Sequence, residues 1–172
     1  MNWDTYFYNI CVEVANNSKC LSRKIGAILV KDKNIIATGY SGPPRGVPSC
    51  TERYFKEKAL MERLKEHADI NTNINPLICP RRALNFPSGE GLEWCVSIHA
   101  EKNCLLSAAR LGISTKGATL YSNMTITPCT QCFGGLINAG VTEVVCSAIN
   151  IYDVSVPWLM KNSEMKIRKF EL

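Results

Sequence analysis

From Ile98 onward the chain alternates between two hydrophobic periods, and that alternation limits its fold more than any other feature. Ile98 to Leu111 is helical in pattern, and Gly112 is a natural C-terminal stop. ATLYS (118–122) reads as a strand. Pro128 stands at a helix start, where a missing N–H costs nothing, and that helix runs to about Ala139 before Gly140. VTEVVCSA (141–148) reads as a buried strand, followed by a short helix near 156–162 and a last strand near 165–170. Upstream, Trp3, Phe7, Ile10, Cys11 and Val14 recur at helical spacing over residues 3–15. IGAILV (25–30) and NIIATGY (34–40), split by Lys31-Asp32-Lys33, read as a hairpin. The order predicts an α/β fold: a three-layer α/β/α sandwich with a mixed sheet of about five strands and helices on both faces.

The middle of the chain is less regular. Ser41 to Pro48 carries two Gly and three Pro and reads as a loop. Residues 52–68 read as a charged surface helix with Leu60, Met61, Leu64 and Ala68 as its thin apolar stripe. Residues 69–91 read as irregular. At 172 residues the chain suits one compact domain spanning 1–172. No internal repeat or low-complexity tract is present.

Charge and hydropathy exclude some function classes. A net charge of +5 suits a phosphate-bearing ligand, but there is no dense basic stripe, so no nucleic-acid partner is expected. No apolar run has the length of a membrane span, and no membrane association is expected. Trp3-Asp4-Thr5-Tyr6 is not the basic-then-apolar opening of a signal peptide, which points to the cytoplasm. Thiols stay reduced there, so the nine cysteines call for metal or catalytic explanations before disulfides.

Two short segments carry the chemistry: His99-Ala100-Glu101 and Pro128-Cys129-Thr130-Gln131-Cys132. One imidazole and two thiolates are three ligands for a tetrahedral zinc, whose fourth position then stays open to water. Both segments stand at helix starts, where the positive dipole ends favour thiolates and a bound anion. Glu101 is not needed as a ligand and is placed to carry protons. An isolated CxxC could equally be a redox pair or half of a structural zinc site. His99 alone would more often be a buried core histidine. The combination with His-x-Glu resembles the signature of the zinc nucleobase deaminases.

Of the other cysteines, Cys11, Cys104 and Cys146 fall in apolar patterns and read as small buried hydrophobes. Cys20, Cys50, Cys79 and Cys95 lie in or beside loops. Four thiolates could close a structural zinc site, or these could be unrelated buried cysteines.

The stretches SRKIGAILV, ATGYSGPPRGVPSC, CPRRALNFPSGEG, CVSIHAEKN, GATLYS and TPCTQC resemble the cytidine and deoxycytidylate deaminases, in their dCMP-deaminase branch, over roughly residues 3–150. The resemblance implies a cytidine deaminase-like fold and hydrolysis of dCMP to dUMP and ammonia by a zinc-activated hydroxide, supplying dUMP for dTMP synthesis. It implies Glu101 as the acid/base, a catalytic zinc on His99, Cys129 and Cys132, and a second, structural zinc on Cys20, Cys50, Cys79 and Cys95. A homo-oligomer, commonly a hexamer, and regulation by dCTP with Mg2+ and by dTTP are also implied. The usual GYNG of that branch reads Gly39-Tyr40-Ser41-Gly42 here, and the Cys50–Cys79 segment is longer than the family pattern.

Arg23, Lys24 and Arg45 are candidates for a nucleotide phosphate, though each could be ordinary solvated charge. Tyr40, Ser41 and Gly42 are candidates for an effector loop. Asn103 and Arg110 align with family positions near the site and the subunit interface, and Arg110 could equally be a helix-end dipole partner. Tyr121 and Tyr152 are candidate stackers for the base, with core packing the alternative. Other readings are a deaminase acting on a base in RNA or DNA, and a non-enzymatic zinc-stabilised binding module.

Overall fold

The computed structural model describes residues 2–172. These form two compact units. The larger holds the residues up to Ser18, Ile25–Ser41 and His99–Leu172. The smaller holds Lys19–Lys24 and Gly42–Ile98.

Five strands make the sheet of the larger unit: β1 (Gly26–Lys31), β2 (Asn34–Tyr40), β3 (Thr119–Ser122), β4 (Glu143–Cys146) and β5 (Lys166–Lys169). Their order is β2-β1-β3-β4-β5. β1 runs antiparallel to both β2 and β3, while β3, β4 and β5 are mutually parallel neighbours. The Asp32-Lys33 hairpin turn has φ of 50° and 62°, the left-handed pair that a tight right-twisted hairpin needs.

Strand alternation sends side chains to two cores. Ala27, Leu29, Leu120, Val144 and Cys146 enter one cluster, with Cys104, Phe133, Leu136 and Val156 from the helices of that face. Ile28, Val30, Tyr121 and Val145 enter the other, with Phe7, Cys11 and Phe170. The first face carries α5 (Ala100–Arg110), α6 (Thr130–Asn138) and α7 (Val156–Lys161), and the second carries α1 (Trp3–Asn16). Helices therefore cover both faces, as the alternating pattern predicts. α1 starts where the Asn2 side chain accepts from the Asp4 N–H at 2.9 Å, and it buries Phe7, Cys11 and Ala15 at every fourth position.

The smaller unit contains α2 (Cys50–Lys56), α3 (Lys58–Glu66), the short α4 (Pro80–Ala83) and a 3-10 turn at Leu92–Trp94. The expected single helix over 52–68 is two helices, because Glu57 takes an extended conformation between them (φ −108°, ψ 92°). A Ser49/Glu52 capping box starts α2. Tyr54, Leu60, Leu64 and Trp94 form this unit's own core. Residues 69–91, expected to be irregular, are so apart from α4.

Candidate active site

α5 and α6 lie in contact, and their N-cap positions are His99 and Cys129. Neither side chain caps its own helix, although an N-cap ordinarily satisfies the first free N–H groups. The two side chains meet each other instead. His99 Nδ1 is 3.5 Å from Cys129 Sγ and 3.5 Å from Cys132 Sγ. The three donor atoms all lie within 4.8 Å of one another. Tetrahedral zinc with Zn–N near 2.05 Å and Zn–S near 2.3 Å would separate nitrogen from sulfur by about 3.6 Å. The donor set and its spacing therefore fit zinc. Cys132 is buried and His99 exposed, so the triad is open towards solvent on the histidine side.

The two sulfurs differ electrostatically. A hydrogen bond from Cys132, helped by one from His99, holds the Cys129 thiol well below its usual range, to about 4. The same bond, together with burial, raises Cys132. Glu101, in the first turn of α5, is 4% exposed. Burial raises its carboxyl pKa; the nearby His99 opposes that rise and Cys129 adds to it. Its carboxylate is thus a stronger proton acceptor than one in bulk water, beside the metal-ligand set. Tyr152 lies alongside: burial pushes its hydroxyl up, and Cys129, Glu101 and Cys132 push in the same direction.

The other candidates divide sharply. Tyr121 belongs to the opposite core, 4.7 Å from the Phe7 ring and 5.8 Å from that of Phe170. Its strand neighbour Leu120 faces the α5/α6 side, so the two-residue period of β3 turns Tyr121 away from the site. The expectation of Tyr121 as a base stacker is thereby corrected. Ser41, expected in a ligand loop, is buried: its hydroxyl accepts from the Ile25 N–H at 3.1 Å and pairs with Ser18 at 2.8 Å. Gly39, in the same tetrapeptide, serves packing. A Cβ there would lie 2.3 Å from the Cys104 backbone nitrogen in α5. Asn103 donates to the Tyr40 carbonyl at 2.8 Å, tying α5 to the end of β2, where the Tyr40 side chain is exposed. Arg110 is exposed in the last turn of α5, where a cation suits the helix dipole.

In the smaller unit, Arg23 donates to Ser88 Oγ at 2.7 Å, while Lys24 and Arg45 are exposed. Gly42 exchanges both backbone hydrogen bonds with Ile98, at 3.2 and 2.8 Å. Cys50 has its thiol raised to about 11, first by burial and then by Cys79, Cys95 and Cys20. The four loop cysteines thus act on one another electrostatically. Cys11, Cys104 and Cys146 are fully buried, as apolar packing predicts.

Asp153 lies outside both ligand motifs. Its carboxylate accepts from the Thr130 N–H at 2.8 Å and from the Thr130 hydroxyl at 2.7 Å, across 23 residues of chain. No local spacing signals a pairing of that range.

Residues 1–148 match the cytidine and deoxycytidylate deaminase zinc-binding region. The chain belongs to that family. Relatives within it include the deoxycytidylate deaminase of Saccharomyces cerevisiae, 30% identical over 169 residues that make up 98% of this chain and 45% of that one. The deoxycytidylate deaminase of Enterobacteria phage T4 is 32% identical over 165 residues, covering 90% of this chain and 82% of the phage enzyme. The chain therefore spans less than half of the yeast enzyme and most of the phage one. Among solved structures, the dCMP deaminase of cyanophage S-TIM5, in complex with dCMP and dUMP, superposes with a TM-score of 0.62. That alignment covers 96% of this chain and 94% of that one at 22% identity, and it shows a shared fold.

Proposed function

We propose that the chain acts as one deaminase domain that hydrolyses dCMP to dUMP and ammonia at the centre built by His99, Cys129, Cys132 and Glu101. The observation that carries this reading is the donor triangle, 3.5 Å from nitrogen to each sulfur, with a buried carboxyl beside it that is not needed as a ligand. Zinc, when bound by the three side chains, supplies a Lewis acid that makes water reactive near neutral pH. Glu101 takes a proton from the water that adds to C4 of the cytosine and delivers it to N3. It then assists protonation of the departing amine as the C4–N bond breaks. The C4–O bond that forms and the C4–N bond that breaks balance the hydrolysis. In this reading Tyr152, which lies near Cys129, Glu101 and Cys132, stacks on the base.

The same reading includes a second, structural zinc on Cys20, Cys50, Cys79 and Cys95. It rests on the family resemblance and on the proximity by which Cys79, Cys95 and Cys20 each raise the Cys50 thiol; among the described residues the close-set donor cluster is His99, Cys129 and Cys132, so the four thiols would have to draw together around the ion. It places the enzyme in the cytoplasm as a homo-oligomer, with a hexamer favoured, making dUMP for dTMP synthesis. Activation by dCTP with Mg2+ and inhibition by dTTP belong to the same reading, with the exposed Tyr40 at the end of β2 as a candidate contact. The Ser41 hydroxyl, committed to Ile25 and Ser18, would act there only through the backbone it fixes. Among the described residues no helix is long and apolar enough to cross a membrane.

A panel of dCMP, CMP, deoxycytidine and a single-stranded oligonucleotide, read by ammonia release, tests the reading. Release from dCMP well above the others is expected. Preference for the oligonucleotide would favour the polynucleotide reading, and no release from any of them would leave a binding module. Two zincs per chain are expected by metal analysis, falling to one in Cys50→Ser. A fully active preparation with one zinc would remove the four-cysteine site.

A further inference from the structure

α6 presents Cys129 at its N-cap and Cys132 in its first turn, so the cap side chain is turned away from its ordinary work. The free N–H of Thr130, the first residue of α6, is satisfied by Asp153 at 2.8 Å. The Thr130 hydroxyl bonds the same carboxylate at 2.7 Å, and the Ser155 N–H adds a third bond at 3.1 Å. Two further bonds join the same pair of loops. Asn150 Nδ2 donates to the Thr125 carbonyl at 2.7 Å, and the Thr127 N–H donates to the Asn150 carbonyl at 3.1 Å. The loop after β4 is therefore zipped onto the loop that carries the metal ligands, with Asp153 at its α6 end.

We propose that Asp153 is the positioning residue of the metal centre, capping α6 from outside so that Cys129 is released to bind zinc. Thr130 immediately follows Cys129, so a carboxylate that fixes both its amide and its hydroxyl fixes the direction in which Cys129 leaves the helix. The negative charge also sits at the positive end of α6, on the metal side of the helix. Tyr152 precedes Asp153 in the chain, so the same clamp sets the ring that borders the site. Groups that orient metal ligands in this way affect metal retention as well as turnover. The inference rests on the zinc reading of His99, Cys129 and Cys132.

The test uses the zinc-loaded full chain and the variants Asp153→Ala, Asp153→Asn, Thr130→Val and Thr130→Ser. Zinc release into a chromophoric chelator is timed, and the thiolate-to-metal absorption band of the cobalt(II)-substituted protein is recorded. KM and kcat for dCMP are measured alongside. Asp153→Ala is expected to release zinc about tenfold faster or more, to shift the cobalt band, and to lose kcat by about tenfold with little change in KM. Asp153→Asn and Thr130→Val are expected to fall between Ala and parent. Thr130→Ser, which keeps both bonds to the carboxylate, should rescue the parental release rate and spectrum. Release rates and cobalt spectra unchanged in both Asp153→Asn and Thr130→Val would overturn the inference, even if the variants melt lower. If Asp153→Ala fails to fold, those two variants decide. A parent that binds no zinc on this triad would overturn the zinc reading and this inference together. A zinc-loaded parent with silent variants would overturn this inference alone.

Discussion

Glu101 is the second helical residue after the N-cap of α5, and at 4% exposure its carboxyl is shielded from bulk water. Burial raises its pKa, so its carboxylate is a stronger proton acceptor than one in bulk water, which suits a group that takes a proton from the attacking water. Glu101→Gln keeps the shape and removes the exchangeable proton. Zinc content is expected to stay at the parental value while kcat for dCMP falls by roughly a hundred- to ten-thousandfold. Metal analysis and steady-state rates on the same preparation check this, and near-parental turnover would contradict the assignment. Most of this set is readable from spacing, because His-x-Glu and Cys-x-x-Cys each place their groups within one turn of a helix start. Tyr121 and Tyr152 show where such reading stops. Both are tyrosines near apolar runs, yet one is packed between Phe7 and Phe170 and the other stands beside Cys129 and Glu101. Which face of the sheet each meets depends on strand register and loop path, and neither is encoded locally.

At the scale of elements, the site is two helix N-termini held at a set depth on a sheet. α5 lies so close to β2 that only glycine fits at position 39, since a Cβ there would sit 2.3 Å from Cys104 N and 2.5 Å from Ala100 O. Both neighbours are backbone and cannot rotate away. Gly39→Ala is expected to cost about 1 to 3 kcal/mol and to push α5 outward, taking His99 and Glu101 with it. Gly134 in α6 is the contrast, because a Cβ there meets nothing within 4 Å. Gly134→Ala should raise stability by up to about 1 kcal/mol through helix propensity alone. Thermal unfolding of the two variants with their zinc content separates these effects: Gly39→Ala should lose both stability and metal, and Gly134→Ala should gain stability and keep metal. A Gly39→Ala protein as stable as the parent would show that α5 can shift without cost. Sequence periodicity locates both helices, but the close approach that makes Gly39 irreplaceable comes from the sheet beneath α5.

Across the larger unit, the two ends of the chain are joined. Asp4 accepts from both Arg168 guanidinium Nη groups, one of them at 3.1 Å, and from the Glu171 N–H at 2.9 Å. Asn2 Nδ2 donates to the Glu171 carbonyl at 2.6 Å. Arg168 also reaches Glu143 at 3.1 Å, so α1, β4 and β5 share one charged cluster. The Arg168 bond holds the Asp4 carboxyl below the usual carboxylate range despite its burial. A carboxylate depressed in the folded state adds stability above its unfolded pKa of about 3.9, and that stability is lost as pH falls through the lower folded value. Asp4→Asn is therefore expected to destabilise by about 1 to 3 kcal/mol at neutral pH, with the gap to the parent narrowing below about pH 4. Urea midpoints of parent and variant at pH 7 and pH 3 check the sign, and an equal gap at both would refute it.

The alternating elements, the zinc-ligand and acid/base residue types, and the family are legible in the chain's local order, since each rests on neighbours within a turn or a strand. It also marked Cys11, Cys104 and Cys146 as buried, because an apolar pattern carries its own burial. Tertiary structure alone decided that Asp153 caps α6, that Tyr121 belongs to the far core, and that Ser41 binds Ile25 and Ser18. It also decided that residues 52–68 break at Glu57. Three of these are pairings or placements between residues far apart in sequence, so no local pattern contains them. The break at Glu57 lies where Tyr54 of α2 and Leu60 and Leu64 of α3 share one core with Trp94, a cluster that exists only once the chain has closed on itself.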